Sequence, residues 1–262
     1  MAKITLKIKK DNFTDLIQKL NELSNIDDIL KLKITSDKIF MYSCITTSGD
    51  AAGSLLAMKF FNLETSDYLE GVDDKEYHFI IISTNKFIKN LKIMNDDYDI
   101  KMELNYREIE NEVCQVRACQ FINNKLKLSY IGGEDSKIKD LNYAFLVERF
   151  HPSKSKAKFN VSIEDFLSIK KLSSINSEEK IFNIGIKDGA VTLFETGKWE
   201  LEVDNINTKN SHLFFTKKYL SNISTDCDDI TFILFETFIV VSDENSSLLC
   251  SFEQTFNDED DE

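Results

Sequence analysis

One proline (Pro152) and eight glycines in 262 residues exclude a collagenous, low-complexity or linker-rich chain. Cysteine is scarce too. Cys44, Cys114, Cys119, Cys227 and Cys250 form an odd set, and only Cys114 and Cys119 lie close together, without the second pair that a zinc site needs. Reduced thiols are the expectation, as in a cytoplasmic protein. No apolar run is long enough to span a bilayer, and MAKITLKIKK is too polar for a secretory leader, so neither secretion nor a membrane partner is expected. His78, His151 and His212 are the only histidines, and none stands near a Cys or Ser arrangement that makes a nucleophile. The nearest glycine cluster, YIGGED, lacks the spacing of a phosphate loop or a dinucleotide fingerprint. No catalytic residue, metal or cofactor is expected, and the chain does not read as an enzyme.

Charge, by contrast, is plentiful and uneven. The 45 acids outnumber 32 bases, for a formal charge of −13, and such a balance by itself repels nucleic acid. Yet STNKFIKNLKIMNDD (83–97) holds three lysines and no acid until its end.

Period-two alternation marks most of the chain as half-buried strand. In the first half it covers ITLKIKK (4–10), ILKLKIT (29–35), KIFMYSCI (38–45), DIKMELNY (99–106) and KLKLSYI (125–131). In the second it covers AKFNVS (157–162), KIFNIGIK (180–187), AVTLFE (190–195), WELEVD (199–204), ITFILFE (230–236) and FIVVSDE (238–244). Four stretches have helical spacing instead. Phe13, Leu16, Ile17, Leu20 and Leu23 repeat within 11–24, and Phe87, Ile88, Leu91 and Met94 within 83–94, where Ser83 or Thr84 is available as N-cap. Phe166, Ile169, Leu172 and Ile175 repeat within 162–175, capped by Ser162, and TKKYLSNIS (216–224) is the shortest.

The element order then recurs. Strand, helix, several strands, strand, helix, strand runs through 4–106 and again through 157–244. VERFHPSKSKA (147–157), with the sole proline, reads as a connector. The expectation is an α+β chain with one domain at 1–146, a connector at 147–157 and a second domain at 158–262.

At about 100° per residue, Lys86, Lys89 and Lys92 fall opposite the apolar row of 83–94. Lys170 and Lys171 flank and oppose the row of 162–175, and Lys217 and Lys218 point away from Tyr219, Leu220 and Ile223. The four helical stretches together hold eight lysines and five acids, so they carry +3 and the remainder −16.

Element order and charge together resemble the DNA sliding clamps of the proliferating cell nuclear antigen type, phage relatives included. The resemblance runs over nearly the whole chain without an invariant signature. KIFMYSCITTSGDAAGSLL resembles the hairpin that follows the first clamp helix. HFIIISTNKFIKNLKIMNDDYDIKMEL resembles the strand–helix–strand with DNA-facing lysines, placing Lys89 and Lys92 on matching positions. KFNVSIEDFLSIKKLSSINSEEKIFNIGIKDGAVTLF resembles the opening of the second domain. HLFFTKKYLSNIS and DDITFILFETFIVVSDENSSLLCSFEQTFNDEDDE resemble its close, with Lys218 on a basic position.

That resemblance implies two similar clamp lobes per chain, helices inside and β-sheets outside, assembled as a ring around double-stranded DNA. Its function would be to tether the replicative DNA polymerase as a processivity factor. The implied partners are that polymerase, other proteins with a clamp-binding motif, and an ATP-dependent clamp loader. The expected DNA-binding set is Lys9, Lys10, Lys19, Lys86, Lys89, Lys92, Lys170, Lys171, Lys217 and Lys218. By position, a partner-peptide pocket would draw on Cys44, Phe150, Pro152, Phe238 and Phe252.

Geometry bears on the ring independently. A lobe of about 130 residues has a radius of gyration near 14 Å and a hard radius of roughly 18 Å. Six such lobes leave a hole roughly 35 Å wide and four leave roughly 15 Å, against a duplex about 20 Å across. Two lobes per chain make a homotrimer the expected ring.

One feature departs from the family. The first helical stretch sets Asp11, Asp15 and Glu22 against Lys19 alone, where the family's helix is usually basic; Lys9 and Lys10 just before it offset part of this. The tail NDEDDE (257–262) reads as a solvated acidic segment. Abundant Ile, Lys, Asn, Asp and Phe point to an AT-rich, viral genome, hence to a bacterial host's cytoplasm. The competing expectation is a β-rich protein-interaction or virion component without a DNA role, which has no reason to segregate its charges.

Overall fold

The structure, a computed structural model, describes residues 1–94, 100–110, 112–175, 181–187, 189–193, 196–200, 211–216, 223, 227–243, 246–251 and 254–257. Two compact units divide the chain, Met1–Asp140 and Leu141–Glu262.

The first unit begins with β1 (Ala2–Ile8), α1 (Phe13–Ser24), β2 (Leu30–Ile34), β3 (Lys38–Thr46) and β4 (Leu55–Glu64). A single turn, α2 (Thr65–Tyr68), and the short β5 (Leu69–Glu70) follow. Then come β6 (Glu76–Ile81), α3 (Thr84–Met94), β7 (Ile100–Glu110), β8 (Val113–Ile122) and β9 (Lys127–Ile131). Apart from α2 and β5, this is one β-α-β-β-β motif used twice. The pairing keeps the duplication: β1 lies antiparallel to β7 and β2 antiparallel to β6, so the first strand of each half joins the second strand of the other. β2-β3-β4 and β7-β8-β9 are antiparallel meanders. β5 extends β1, and β6 meets the start of β8 in parallel.

Alternation decides which side chains enter the helical layer. In β3, Ile39 and Met41 join the core beneath the helices, while Phe40 and Tyr42 turn to the other face and pack 5.1 Å apart. Phe13, Ile17, Leu20 and Leu23 of α1 are buried, as are Phe87, Ile88, Leu91 and Met94 of α3, and the two helices touch. The side chain that caps α3 comes from outside the helix. The Asp28 carboxylate, from the α1–β2 connection, accepts from the Asn85 N–H and the Ser83 hydroxyl, both at 3.0 Å. Ser83 holds the N-cap position, its carbonyl accepting from the Phe87 N–H at 3.0 Å, but its hydroxyl donates to Asp28 and does not itself cap the helix.

Residues 132–140 cover the other face of this sheet with one 3₁₀ turn (Asp135–Lys137) and no further regular structure. The Gly133 N–H donates to the Ile80 carbonyl at 2.8 Å, and the Tyr42 hydroxyl to the Lys139 carbonyl at 2.9 Å. A Cβ at Gly133 would stand 2.3 Å from the Ile82 side chain, so the close crossing needs glycine. Lys31 reaches Asp135 at 3.3 Å and Asp140 at 2.8 Å, and Lys33 reaches Asp140 at 2.8 Å.

The second unit opens with α4 (Tyr143–Arg149), capped by the Asn142 side chain, and a 3₁₀ turn at Pro152–Lys154. It continues with β10 (Ala157–Ser162), α5 (Ile163–Ile175), β11 (Ile181–Lys187), β12 (Ala190–Leu193), β13 (Thr196–Glu200) and β14 (Ser211–Thr216). β15 (Asp229–Leu234), β16 (Phe238–Ser242), β17 (Ser246–Ser251) and β18 (Gln254–Asn257) complete it. The pairing rule of the first unit recurs: β10 with β15 and β11 with β14, both antiparallel. β11-β12-β13 and β15-β16-β17 are again meanders, and β18 extends β14. α5 rests on β10 and β15, with buried Phe166 against Phe232, whose ring stacks on Phe159 at 5.0 Å. The Ser162 hydroxyl accepts from the Asp165 N–H at 3.2 Å, as the sequence predicts for the cap of this helix. Residues 217–222, most of the fourth helical stretch, lie outside the described residues. The architecture is α+β.

Candidate nucleic-acid interface

α3 buries its apolar row, so its remaining face is fixed. Lys86, Lys89 and Lys92, three residues apart, are all exposed, and among the described residues none has an ion pair or a side-chain hydrogen bond. The helix contains no acid, and the Asp28 carboxylate sits at its N-terminus, where the helix dipole favours it. Among the described residues, three cations without an ion pair therefore line one strip of the helical layer.

α1 lies beside α3 but handles its charges differently. Lys19 meets Asp15 at 2.6 Å, and the side chain is only 14% exposed. The other Asp15 oxygen accepts from the Tyr68 hydroxyl; burial and Asp15 together push that phenol well above its ordinary pKa. Glu22 is met at 2.6 Å by Lys59, which β4 delivers from beneath. The ammonium groups of Lys19 and Lys59 stand 5.4 and 5.1 Å from the centroid of the Phe61 ring, so acid, base, ring, base and acid form a ladder along the inner side of α1. Asp11 stays exposed without an ion pair among the described residues. Lys9 is half-buried and Lys10 exposed. On α5, Lys170 is half-buried and Lys171 exposed, while Lys217 and Lys218 lie outside the described residues.

The residues expected to form a partner pocket divide between the units. Cys44 belongs to the first, where it is 6% exposed; burial pushes its thiol up to about 11. In the second unit Phe150 packs 5.3 Å from Phe238 and 6.1 Å from Phe235, and these two stack at 4.7 Å. Pro152 is exposed, and Phe252 lies outside the described residues.

Sequence reasoning missed Lys59, Phe235 and the pair Asp135 and Asp140. A signal for the first was present: Lys59 is the one charged residue inside the buried run of LLAMKFFNLE before its terminal Glu64, and an enclosed ammonium needs a carboxylate. Nothing local says which one.

No protein-family model matches the sequence, and no curated protein matches it. Solved structures do. The proliferating cellular nuclear antigen of Entamoeba histolytica aligns with a TM-score of 0.61 at 14% identity, over 96% of this chain and 98% of that one. PCNA of Thermococcus kodakaraensis gives 0.58 at 10% identity, over 95% and 100%. The β chain of DNA polymerase III from Streptococcus pneumoniae gives 0.62 at 12% identity, over 98% of this chain and 67% of that longer one. Over nearly its whole length, this chain has the fold of the DNA sliding clamps.

Proposed function

We propose that the protein is a DNA sliding clamp, a non-enzymatic ring that encircles duplex DNA without reading its sequence and tethers the replicative polymerase. The observation that carries this is the strip of three exposed lysines on α3, unpaired among the described residues and set on a clamp fold in a chain of formal charge −13. Lysines so placed meet phosphates through weak contacts that release counterions and carry no base information. Retention then comes from topology, and the acidic remainder keeps DNA off other surfaces. Lys9, Lys10, Lys170, Lys171, Lys217 and Lys218 complete the basic track in this reading, while Lys19 acts mainly on Asp15.

Ring closure in this reading is homotrimeric and joins two strand edges. Among the described strands β9 pairs only with β8, and β13 only with β12. Open edges accept a further strand. Ile131, at the end of β9, is 75% exposed, and Leu126, just before its start, 43%, which gives that edge apolar groups to cover. Residues 147–157 join clamp domains 1–146 and 158–262, and the aromatic group around Phe150 and Phe238 supports partner peptides. A closed ring requires a loader that opens it.

The solution mass, by light scattering on a size-exclusion column over a range of concentrations, tests the assembly. A mass near three times 30.2 kDa is expected. A monomer at every concentration would remove the closed homotrimer.

A further inference from the structure

Glu22 and Lys59 carry an inference that rests on the proposed DNA path along α1 and α3 and deepens it. Lys59 sits mid-strand in β4 and points into the helical layer two residues before Phe61. Its side chain is 1% exposed and its ammonium lies 2.6 Å from Glu22 Oε2. That oxygen is enclosed and has no aligned hydrogen-bond donor, so the contact is charge against charge; the other oxygen is reached by the Gln18 amide at 3.5 Å. Enclosing an ammonium and a carboxylate costs hydration on both sides, and an apolar pair would pack the same space without that cost. The arrangement does achieve one thing that apolar residues would not: it fixes a cation directly behind α1.

We infer that Lys59 is an internal counter-charge for the DNA path, a positioning residue that holds Glu22 turned inward and cancels its field. Within α1 the sequence offers Asp15 and Glu22 against Lys19, a net negative helix. With Lys59 the four charges balance. A phosphate about 8–10 Å from the helix lies within one Debye length at physiological salt, so an uncancelled carboxylate there would be felt, once per chain of the ring.

The test uses the full chain and a short blunt-ended duplex labelled with a fluorophore. Association is followed by anisotropy at an ionic strength of about 10 mM, where charges act over ~30 Å. Lys59→Met should weaken association about three- to tenfold, because Glu22 regains its field. Glu22→Gln should strengthen it by a similar factor, because the path then loses one negative charge. The double variant should return to within about twofold of the parent, and all differences should shrink as salt rises. Opposite signs for the two single variants are the signature, since damage to the fold weakens both. Equal signs, or two unchanged single variants, would overturn the counter-charge role. Lys86→Gln/Lys89→Gln/Lys92→Gln is the reference: if that variant binds the duplex as the parent does, the DNA path itself fails. If it weakens binding while Lys59→Met and Glu22→Gln change nothing, only the counter-charge fails.

Discussion

The sheet of the first unit wears two covers of opposite kind. On one face α1 and α3 seal it with apolar rows; on the other, residues 132–140 do so with a single 3₁₀ turn. Each cover encloses a lysine. Lys59, beneath α1, meets the Glu22 carboxylate, itself only 16% exposed. Lys31, beneath the irregular cover, is 2% exposed but meets two carboxylates, Asp135 and Asp140, that stay 50% and 63% exposed. A half-exposed carboxylate keeps much of its hydration, so its ion pair sacrifices little. The helical cover is therefore held by hydrophobic burial, with its ion pair adjusting charge. The irregular cover has few apolar anchors, chiefly Ile138, and relies on ion pairs and main-chain hydrogen bonds.

The strongest way to break that contrast is to remove an anchor of the helical cover. Phe87 is 3% exposed and meets Phe79, Phe121 and Tyr130 edge-on at 6.0, 5.2 and 5.3 Å. Phe87→Ala should cost about 3–5 kcal/mol, from lost transfer energy and the cavity left behind. Urea unfolding of the full chain measures it. A loss below about 1 kcal/mol would mean that the aromatic cluster does not hold α3 down.

The other cover should break more gently, and with a pH signature. Burial raises the pKa of Asp140, but the hydrogen bonds and charges of Lys31 and Lys33 outweigh that and lower it from 3.8 to about 2. A carboxyl held low in the folded state contributes stability above its unfolded value, and that contribution fades as pH falls from about 4 towards 2. Asp140→Asn should therefore cost about 1 kcal/mol at neutral pH, a figure reduced for solvent screening because the side chain is mostly exposed. The gap between variant and parent should close as pH drops through that window. A gap that persists unchanged at the acid end would assign the effect to packing and not to charge.

The contrast between the covers also governs what could be read from sequence. α1 and α3 announce themselves because Phe13, Ile17, Leu20 and Leu23, like Phe87, Ile88, Leu91 and Met94, repeat at the spacing of one helix face. The same periodicity places Lys86, Lys89 and Lys92 outward. Residues 132–140 have no period, so nothing local reveals that Asp135 and Asp140 will meet Lys31 across 104 and 109 positions. The cap of α3 is equally remote, since Asp28 reaches Asn85 across 57 positions. Phe235 was hidden for another reason. Alternation continues through ITFILFE, yet β15 ends at Leu234, and Phe235 lies in the turn that stacks on Phe238. The charge of α1 was misjudged because a helix was counted by its own residues, whereas Lys59 arrives from a strand.

The smallest effect on stability should come from the outer side of the helical cover. Lys86, Lys89 and Lys92 are exposed and unpaired among the described residues, so replacing all three by glutamine removes charge and almost no packing. Stability should stay within about 0.5 kcal/mol of the parent in urea. Duplex association should nevertheless fall, and its log–log salt slope should shrink by about one for each lysine that meets a phosphate. Stability and DNA affinity would then separate on a single helix: the inward row of α3 sets the first and the outward row the second. A variant as stable as the parent, with an unchanged salt slope, would move the DNA track away from α3 and leave its lysines as ordinary surface charge.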